Sequence, residues 1–323
     1  MKVLVTGGAG YIGSHLVDKL LATGDQVTVL DDFSLGKREN IEHNLAHPSF
    51  HLVEGSVTDP ATVAGAMDRS ELVYHLAARV GIRYIVDDPL RGIFTNVAGT
   101  EAVLKEAHKR GVRVLFASTS EIYGKSQAVP FKEDGDRLLG PTSVARWSYS
   151  TAKAIDEHLA LAYASEGLHI TIVRYFNSYG PRLDPIGYGS VVAKFFTQAL
   201  RGQPLTVHGD GKQSRSFTFV DDTVQGTILA ATHVDAQGQV FNVGCGRETT
   251  ILELAHMIKS LTGSASPITH ITYSDYFGAN FEDIPRRVPD VDKARRILDF
   301  EAKVPLEDGL RVTEAWMRRK LGG

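Results

Sequence analysis

Tyr149-Ser150-Thr151-Ala152-Lys153 sets a phenol and an ammonium four residues apart, which brings both to one face if the segment is helical. A positive charge beside a tyrosine lowers the phenol's pKa toward working pH, so such a pair can act as a general base. Alone, the pattern is common, and a solvated helix face would show it equally. A second stretch with chemical content is Ala117-Ser118-Thr119-Ser120-Glu121-Ile122-Tyr123-Gly124. It puts three hydroxyls and a carboxylate after the apolar run VRVLF, where a buried parallel strand should end. A third, Gly7-Gly8-Ala9-Gly10-Tyr11-Ile12-Gly13, has Gly-x-x-Gly-x-x-Gly spacing directly after the first apolar run. Glycines there let the turn tighten and the backbone approach a pyrophosphate, which sits on the positive N-terminus of the following helix. Asp31 lies 18 residues beyond Gly13, where a carboxylate would hold the adenine-ribose hydroxyls. An acid there favours NAD over NADP, whose 2′-phosphate it repels. Asp32 competes for the role. The conjunction points to NAD binding.

These groups need a scaffold, and the chain offers one by alternation. Val3–Thr6, Gln26–Leu30, His51–Glu54, Leu72–His75, Val112–Ala117 and Ile170–Tyr175 read as short buried strands. Gly13–Ala22, Asn96–Lys109 and Tyr149–Ser165 read as helices between them. Such alternation means a parallel sheet covered on both faces. The expected fold is therefore α/β: a Rossmann-type doubly wound parallel sheet with a smaller C-terminal substrate-binding lobe. Residues 1–180 are expected to form the NAD-binding domain and 181–323 mainly the substrate lobe. After Pro181 come turn-rich PRLDPIGYG, a helix at about Ser190–Arg201 and short strands. A segment near 215–245 is expected to return to the main sheet, because Phe241–Gly246 (FNVGCG) reads as another strand.

The 323 residues can bury a large core, and 43% hydrophobic with 23% charged residues is ordinary for a globular protein. A formal net charge of −3 offers no basic field for nucleic acid. The single Cys245 excludes an internal disulfide framework and fits a reducing compartment. No run approaches a membrane span, and the opening MKVLVTGGAG leaves no room for a signal peptide. A cytoplasmic protein without membrane or nucleic-acid partners is expected. His43 and His47, four apart, could share a metal on one helix face, but no third ligand is evident and solvated histidines are the simpler reading. No metal site is expected. Cys245, beside glycines, reads as a small core residue.

The chain resembles a family, the extended short-chain dehydrogenase/reductases that act on nucleotide sugars. The resemblance runs nearly end to end. It is carried by TGGAGYIGSHL, YHLAA at Tyr74–Ala78, the hydroxyl-rich strand end, YSTAK, RYFNSYGPR at Arg174–Arg182, LTVHGDGKQSRSFTFVDD at Leu205–Asp222, and FNVG. It implies a catalytic set of Thr119, Ser120, Glu121, Tyr149 and Lys153, with Thr119 bonding the sugar hydroxyl that is oxidised. It implies NAD contacts from Gly7, Gly10, Tyr11, Ile12, Gly13, Asp31 or Asp32, Ser56, Val57, Leu76, Ala77, Ala78, Tyr149 and Lys153. At Ser56 relatives usually carry Asp, which puts the adenine contacts there in doubt. Asn177, Arg182, Val192, Arg215 and Arg287 are implied substrate residues, Asn177 and Arg215 for the sugar diphosphate. The family also implies a homodimer built as a four-helix bundle from the helices Asn96–Lys109 and Tyr149–Ser165. Those helices carry apolar residues on more than one face, among them Val97, Val103, Ile155 and Leu161.

Within the family, dehydratases carry Thr-Asp-Glu at the strand end, the Asp protonating a leaving hydroxyl. Here Thr119-Ser120-Glu121 stands instead, and serine cannot serve as that acid. The pattern is closest to UDP-glucuronate decarboxylases of the UDP-xylose synthase type. They oxidise C4 of the sugar and lose CO2 from the resulting β-keto acid, giving UDP-xylose or UDP-4-keto-pentose. Glu121 is then expected to face the carboxylate-bearing carbon, its like charge favouring departure of CO2. Arg146-Trp147-Ser148-Tyr149-Ser150 resembles the lipid-A-modifying decarboxylases, as does the late loop Asn280–Pro289, which supplies an arginine: Arg287, or its neighbour Arg286. UDP-sugar 4-epimerases are the next resemblance. In the glucuronate 4-epimerases a second arginine shortly after Gly-Pro-Arg clamps the carboxylate; here Asp184 stands there. A non-catalytic NAD-binding regulator on the same fold is the remaining alternative, and intact Thr119, Tyr149 and Lys153 argue against it.

Overall fold

The structure, a computed structural model, describes residues 1–185, 190–273 and 282–322. Asn280 and Phe281 of the late loop, and residues 186–189 of PRLDPIGYG, lie outside them.

Six strands follow one another through the first half: β1 (Lys2–Thr6), β2 (Gln26–Asp31), β3 (Phe50–Glu54), β4 (Leu72–His75), β5 (Arg113–Thr119) and β6 (Ile170–Tyr175). With Val240–Val243 they form one seven-stranded parallel sheet, ordered Val240–Val243, β6, β5, β4, β1, β2, β3. The expected returning strand is therefore present, paired to β6 with Val240 opposite Ile172. Alternate residues point to opposite faces. Val3 and Val5 enter a core with Leu16, Val17 and Leu20, whereas Leu4 enters a second core with Val63, Met67 and Val103. Both faces are covered, so the strands are apolar throughout rather than alternating.

Helices α1 (Tyr11–Ala22), α2 (Pro60–Ala66), α3 (Ile82–Asp87), α4 (Pro89–Arg110) and α5 (Trp147–Ser165) connect the strands. Helix α4 begins seven residues before the expected Asn96. Pro89 takes its first position and the Asp88 carboxylate accepts from Arg91 N at 3.2 Å. Such a cap contributes about 1 kcal/mol and fixes the start of the helix at Pro89. Strand β5 runs on to Thr119 because Ser118 and Thr119 still pair with Arg174 and Tyr175 of β6. The hydroxyl-rich stretch is thus the end of a strand and a short 3-10 turn, Ser120–Tyr123. His43 lies in a 3-10 turn, Glu42–Asn44, not a helix; its Nε2 is 2.8 Å from Asp18 Oδ1.

Beyond β6 the helices Val191–Leu200, Ile251–Thr262 and Leu306–Gly322 pack on each other, beside a parallel pair of strands, Leu205–His208 and Ile268–Ile271. Ser190 caps the first of these helices. A small sheet joins Thr249–Thr250, Ser214–Arg215 and Arg286–Arg287, and its register sets Arg287 opposite Arg215. No helix among the described residues is long and apolar enough to cross a membrane.

Candidate active site

β1 pairs with both β2 and β4, so the connections leave it in opposite directions and open a crevice at the carboxyl ends of the strands. A cavity of about 460 Å³ runs along that crevice. One end is the turn from β1 into α1. Gly7 has φ +72°, and a Cβ there would stand 2.7 Å from Ala77 N; a Cβ on Gly13 would strike the Gly7 carbonyl. The turn therefore lies flat against the strand end, leaving room for a ligand over the start of α1. Asp31 ends β2, and its carboxylate accepts from Ala9 N and Phe33 N, both at 2.9 Å. Those bonds fix it beside the glycine turn, while Asp32 is exposed and accepts from Ser34 N. Of the two carboxylates, Asp31 is the one placed against the glycine turn. Val57 and Leu76–Ala78 complete this wall. A glycine cradle closed to any Cβ, with a fixed carboxylate at the second strand tip, fits NAD.

Thr119, Ser120 and Glu121 line the other end with Tyr149, Asn177 and Arg287. Thr119 Oγ1 accepts from Glu121 N at 3.1 Å and is hydrogen-bonded to the Tyr149 hydroxyl. Burial raises the Tyr149 pKa above its ordinary value, and the charge of Glu121 adds to the rise; the bond from Thr119 opposes both. This differs from the expectation that Lys153 depresses the phenol. The Lys153 ammonium is committed elsewhere: it lies 3.3 Å from Asp156 Oδ2 and 4.0 Å from the centre of the Phe116 ring.

Glu121 is held by charge. Its carboxylate meets Arg287 at 2.5 Å and Arg146 at 3.2 Å. Burial alone would raise its pKa, but Arg146, Arg287 and Arg215 together hold it at about 2. Arg146 continues to Asp283 at 2.9 Å, and Asp283 accepts from Arg215 at 3.1 Å and from the Tyr273 hydroxyl at 2.6 Å. A chain of alternating charge results: Arg287, Glu121, Arg146, Asp283, Arg215. Three guanidiniums face two carboxylates, leaving one positive charge in excess. The end that meets the cavity is Arg287, whose Nε is buried with no partner among the described residues. The expected like-charge push from Glu121 on a substrate carboxylate is therefore muted, since two arginines neutralise it.

Other expected residues fall off the cavity wall. Arg215 spends its donors on Asp283 and on the Ser214 and Ile284 carbonyls. Arg182 turns away to Asp18 at 2.6 Å, Val192 is core, and Ser56 bonds Thr58. Lys153 lies beneath the wall. Arg286 points outward to Glu248, which leaves Arg287 as the late-loop arginine of the site. Asn177 lines the cavity with a buried Oδ1 that has no partner among the described residues. Arg79 and Arg91 also line it: Arg91 sits in the first turn of α4, and the Arg79 backbone is held by the Asn96 side chain. Cys245 is buried, and no cluster of three or more metal-ligating side chains occurs among the described residues.

Comparison with known proteins agrees with this geometry. Residues 3–244 match the NAD dependent epimerase/dehydratase family. A UDP-N-acetyl-alpha-D-glucosaminuronate decarboxylase of Bacillus cytotoxicus is 42% identical, over 98% of this chain and 98% of that protein. UDP-glucuronic acid decarboxylase 1 of Xenopus tropicalis is 36% identical, over 99% of this chain and 73% of its own. Among solved structures, the UDP-glucose 4-epimerase of Thermotoga maritima superposes with a TM-score of 0.89 at 36% identity, covering 99% of this chain and all of that one. The family match spans three quarters of the chain, and both curated relatives align over nearly its whole length: the chain belongs to the NAD dependent epimerase/dehydratase family.

Proposed function

We propose that the protein is an NAD-dependent decarboxylase of a UDP-linked uronic acid. The observation that carries this reading is the surplus positive charge at the cavity wall, ending in Arg287 with an unpartnered Nε. A sugar carboxylate would complete that charge balance. The curated relatives above support the same class, on glucuronate in one case and on its N-acetylated amine in the other.

Thr119 holds the C4 hydroxyl and Tyr149 takes its proton as hydride leaves C4. Bound NAD supplies the hydride acceptor. The new ketone stands β to the C6 carboxylate, so the C5–C6 bond can break with its electron pair delocalised onto the C4 oxygen. CO2 leaves and a proton returns to C5. No acid for a leaving hydroxyl is required, which accounts for serine at position 120. Glu121, ionised and ion-paired, serves as the fixed counter-charge that orients Arg287. Hydride return to C4 gives the UDP-pentose; without it the 4-keto-pentose is released. Asn177 and Arg287 are the substrate contacts that the cavity supports.

Incubation with UDP-glucuronate or its N-acetylated counterpart and NAD, followed by product mass, tests the reading. Loss of the mass of CO2, or of CO2 plus two hydrogens for the 4-keto product, supports it. An unchanged mass with altered chromatographic retention would make the protein a 4-epimerase. In cofactor titrations the protein is expected to prefer NAD over NADP, with Asp31→Ala weakening NAD and relieving the exclusion of NADP; tighter NADP binding by the wild type would overturn the role of Asp31. We further infer a homodimer through α4 and α5, whose outer faces expose Phe94, Ile155 and Leu161. The single, buried Cys245 supports a cytoplasmic setting.

A further inference from the structure

Asp156 has no place in the chemistry above, yet it is fully buried directly beneath it. Its side chain is 0% exposed, Lys153 is 2% exposed, and Lys153 Nζ stands 3.3 Å from Asp156 Oδ2. The Thr100 hydroxyl of α4 is close enough to the carboxylate to lower its pKa. Thr100 Oγ1 lies 3.2 Å from His75 Nε2, and His75 Nδ1 lies 2.7 Å from Thr6 Oγ1. A buried row of polar groups thus runs from the end of β1, through β4 and α4, to the lysine of α5. Burial of a lone carboxylate costs several kcal/mol, and a buried ion pair is rarely retained for stability alone.

We propose that Asp156 is a positioning residue for the reaction: its carboxylate anchors Lys153 and, through its charge, sets the pH range in which Tyr149 and Lys153 work. This rests on the assignment of Tyr149 as the base. An anion at this place disfavours the phenolate and favours the ammonium, so it raises both pKa values. Both effects are present: Asp156 raises Tyr149 and Lys153 alike, while burial pushes Tyr149 up and Lys153 down. The other groups facing the pair are accounted for. His75 of β4 is held neutral, its pKa lowered to about 3 by burial and by Lys153. Glu157 of α5 is locked to Arg174 of β6 at 2.7 Å and to Ser118 of β5 at 2.6 Å. Glu121 of the strand-end turn is paired with Arg146 and with Arg287 of the late loop. Asp156 is the largest counter-charge to Lys153, with Glu157 a smaller one; burial raises the pKa of Asp156 and the nearby Lys153 opposes that rise.

The test is the pH dependence of single-turnover NADH formation, a step that decarboxylases and epimerases share. Asp156→Asn keeps the shape and removes the charge. Both limbs of the profile should then move to lower pH, by about one unit or more. Asp156→Glu, which keeps the charge, should hold them near the wild-type position. A lower rate with both limbs unmoved would make Asp156 merely structural and overturn the proposal. Asp156→Ser gives the same reading with a smaller neutral side chain if the asparagine variant does not fold; failure of both to fold would also overturn it. Tyr149→Phe separates the two assignments. If the acid limb survives in that variant, Tyr149 is not the base; if it is lost there yet unmoved in Asp156→Asn, only the role of Asp156 fails.

Discussion

Tyr149→Phe should reduce C4 oxidation by about 10²–10⁴-fold, the usual cost of removing a positioned general base, while leaving the affinity for the UDP-sugar nearly unchanged. The ring remains to fill its place between Thr119 and the cavity, so the loss falls on proton transfer. Absorbance of NADH in a single turnover reads the step directly. Because burial and Glu121 hold the phenol above its ordinary pKa, the wild-type rate should climb as pH rises past neutrality. The phenylalanine variant should lack that climb. Rapid NADH formation in the variant would assign the base to another residue.

Arg287→Gln should have the second large effect, on both binding and stability. UDP-glucuronate should lose about 2 kcal/mol or more of binding, whereas UDP-glucose, which lacks the carboxylate, should be little affected. Isothermal titration of the two ligands makes that comparison. Stability should fall by about 3–5 kcal/mol, since Glu121 loses its closest partner while still buried. The pH dependence has a definite sign. Glu121 is held at about 2 in the folded protein, below the ordinary carboxylate value, so its ion pairs stabilise the fold above that ordinary value. The contribution is lost as pH falls through the acid range toward the folded pKa. Urea midpoints of wild type and variant should therefore differ most at neutral pH and converge under acid conditions. Equal midpoints at neutral pH would show that the pair contributes nothing. Glu121→Gln added to Arg287→Gln should recover part of the loss, because the uncompensated charge is gone.

What the sequence makes legible here is whatever repeats locally. The apolar runs of β1, β4 and β6 have the length of buried strands, and Gly7, Gly13 and Asp31 keep fixed offsets from them, so sheet and cofactor end could be read directly. Thr119, Tyr149 and Glu121 were also readable, each tied to one end of an element. The charge chain was not. Arg146 meets Asp283, and Arg287 meets Glu121, across more than a hundred residues, and no local pattern encodes such a pairing. Tertiary context likewise redirected Arg182 to Asp18 and Arg215 to Asp283, and put Val192 into the core. The spacing put Lys153 beside Tyr149, but Asp156, three residues on, takes up its charge.

The seventh strand has a consequence for how the chain is made. Val240–Val243 completes the sheet against β6, yet residues 176–239 must be synthesised between the two. During translation the first six strands emerge with β6 as a bare edge, its backbone donors and acceptors open to any passing strand. Arg174 sits on that edge and already holds Glu157, Tyr123 and the Glu133 carbonyl, contacts formed with segments that precede it. Those bonds can hold a nascent six-stranded intermediate together until Asn242 arrives and accepts from the Tyr123 hydroxyl at 2.7 Å. Ribosome-bound chains halted before Val240 thus present an open sheet edge, and a chaperone that covers such an edge would meet its substrate there.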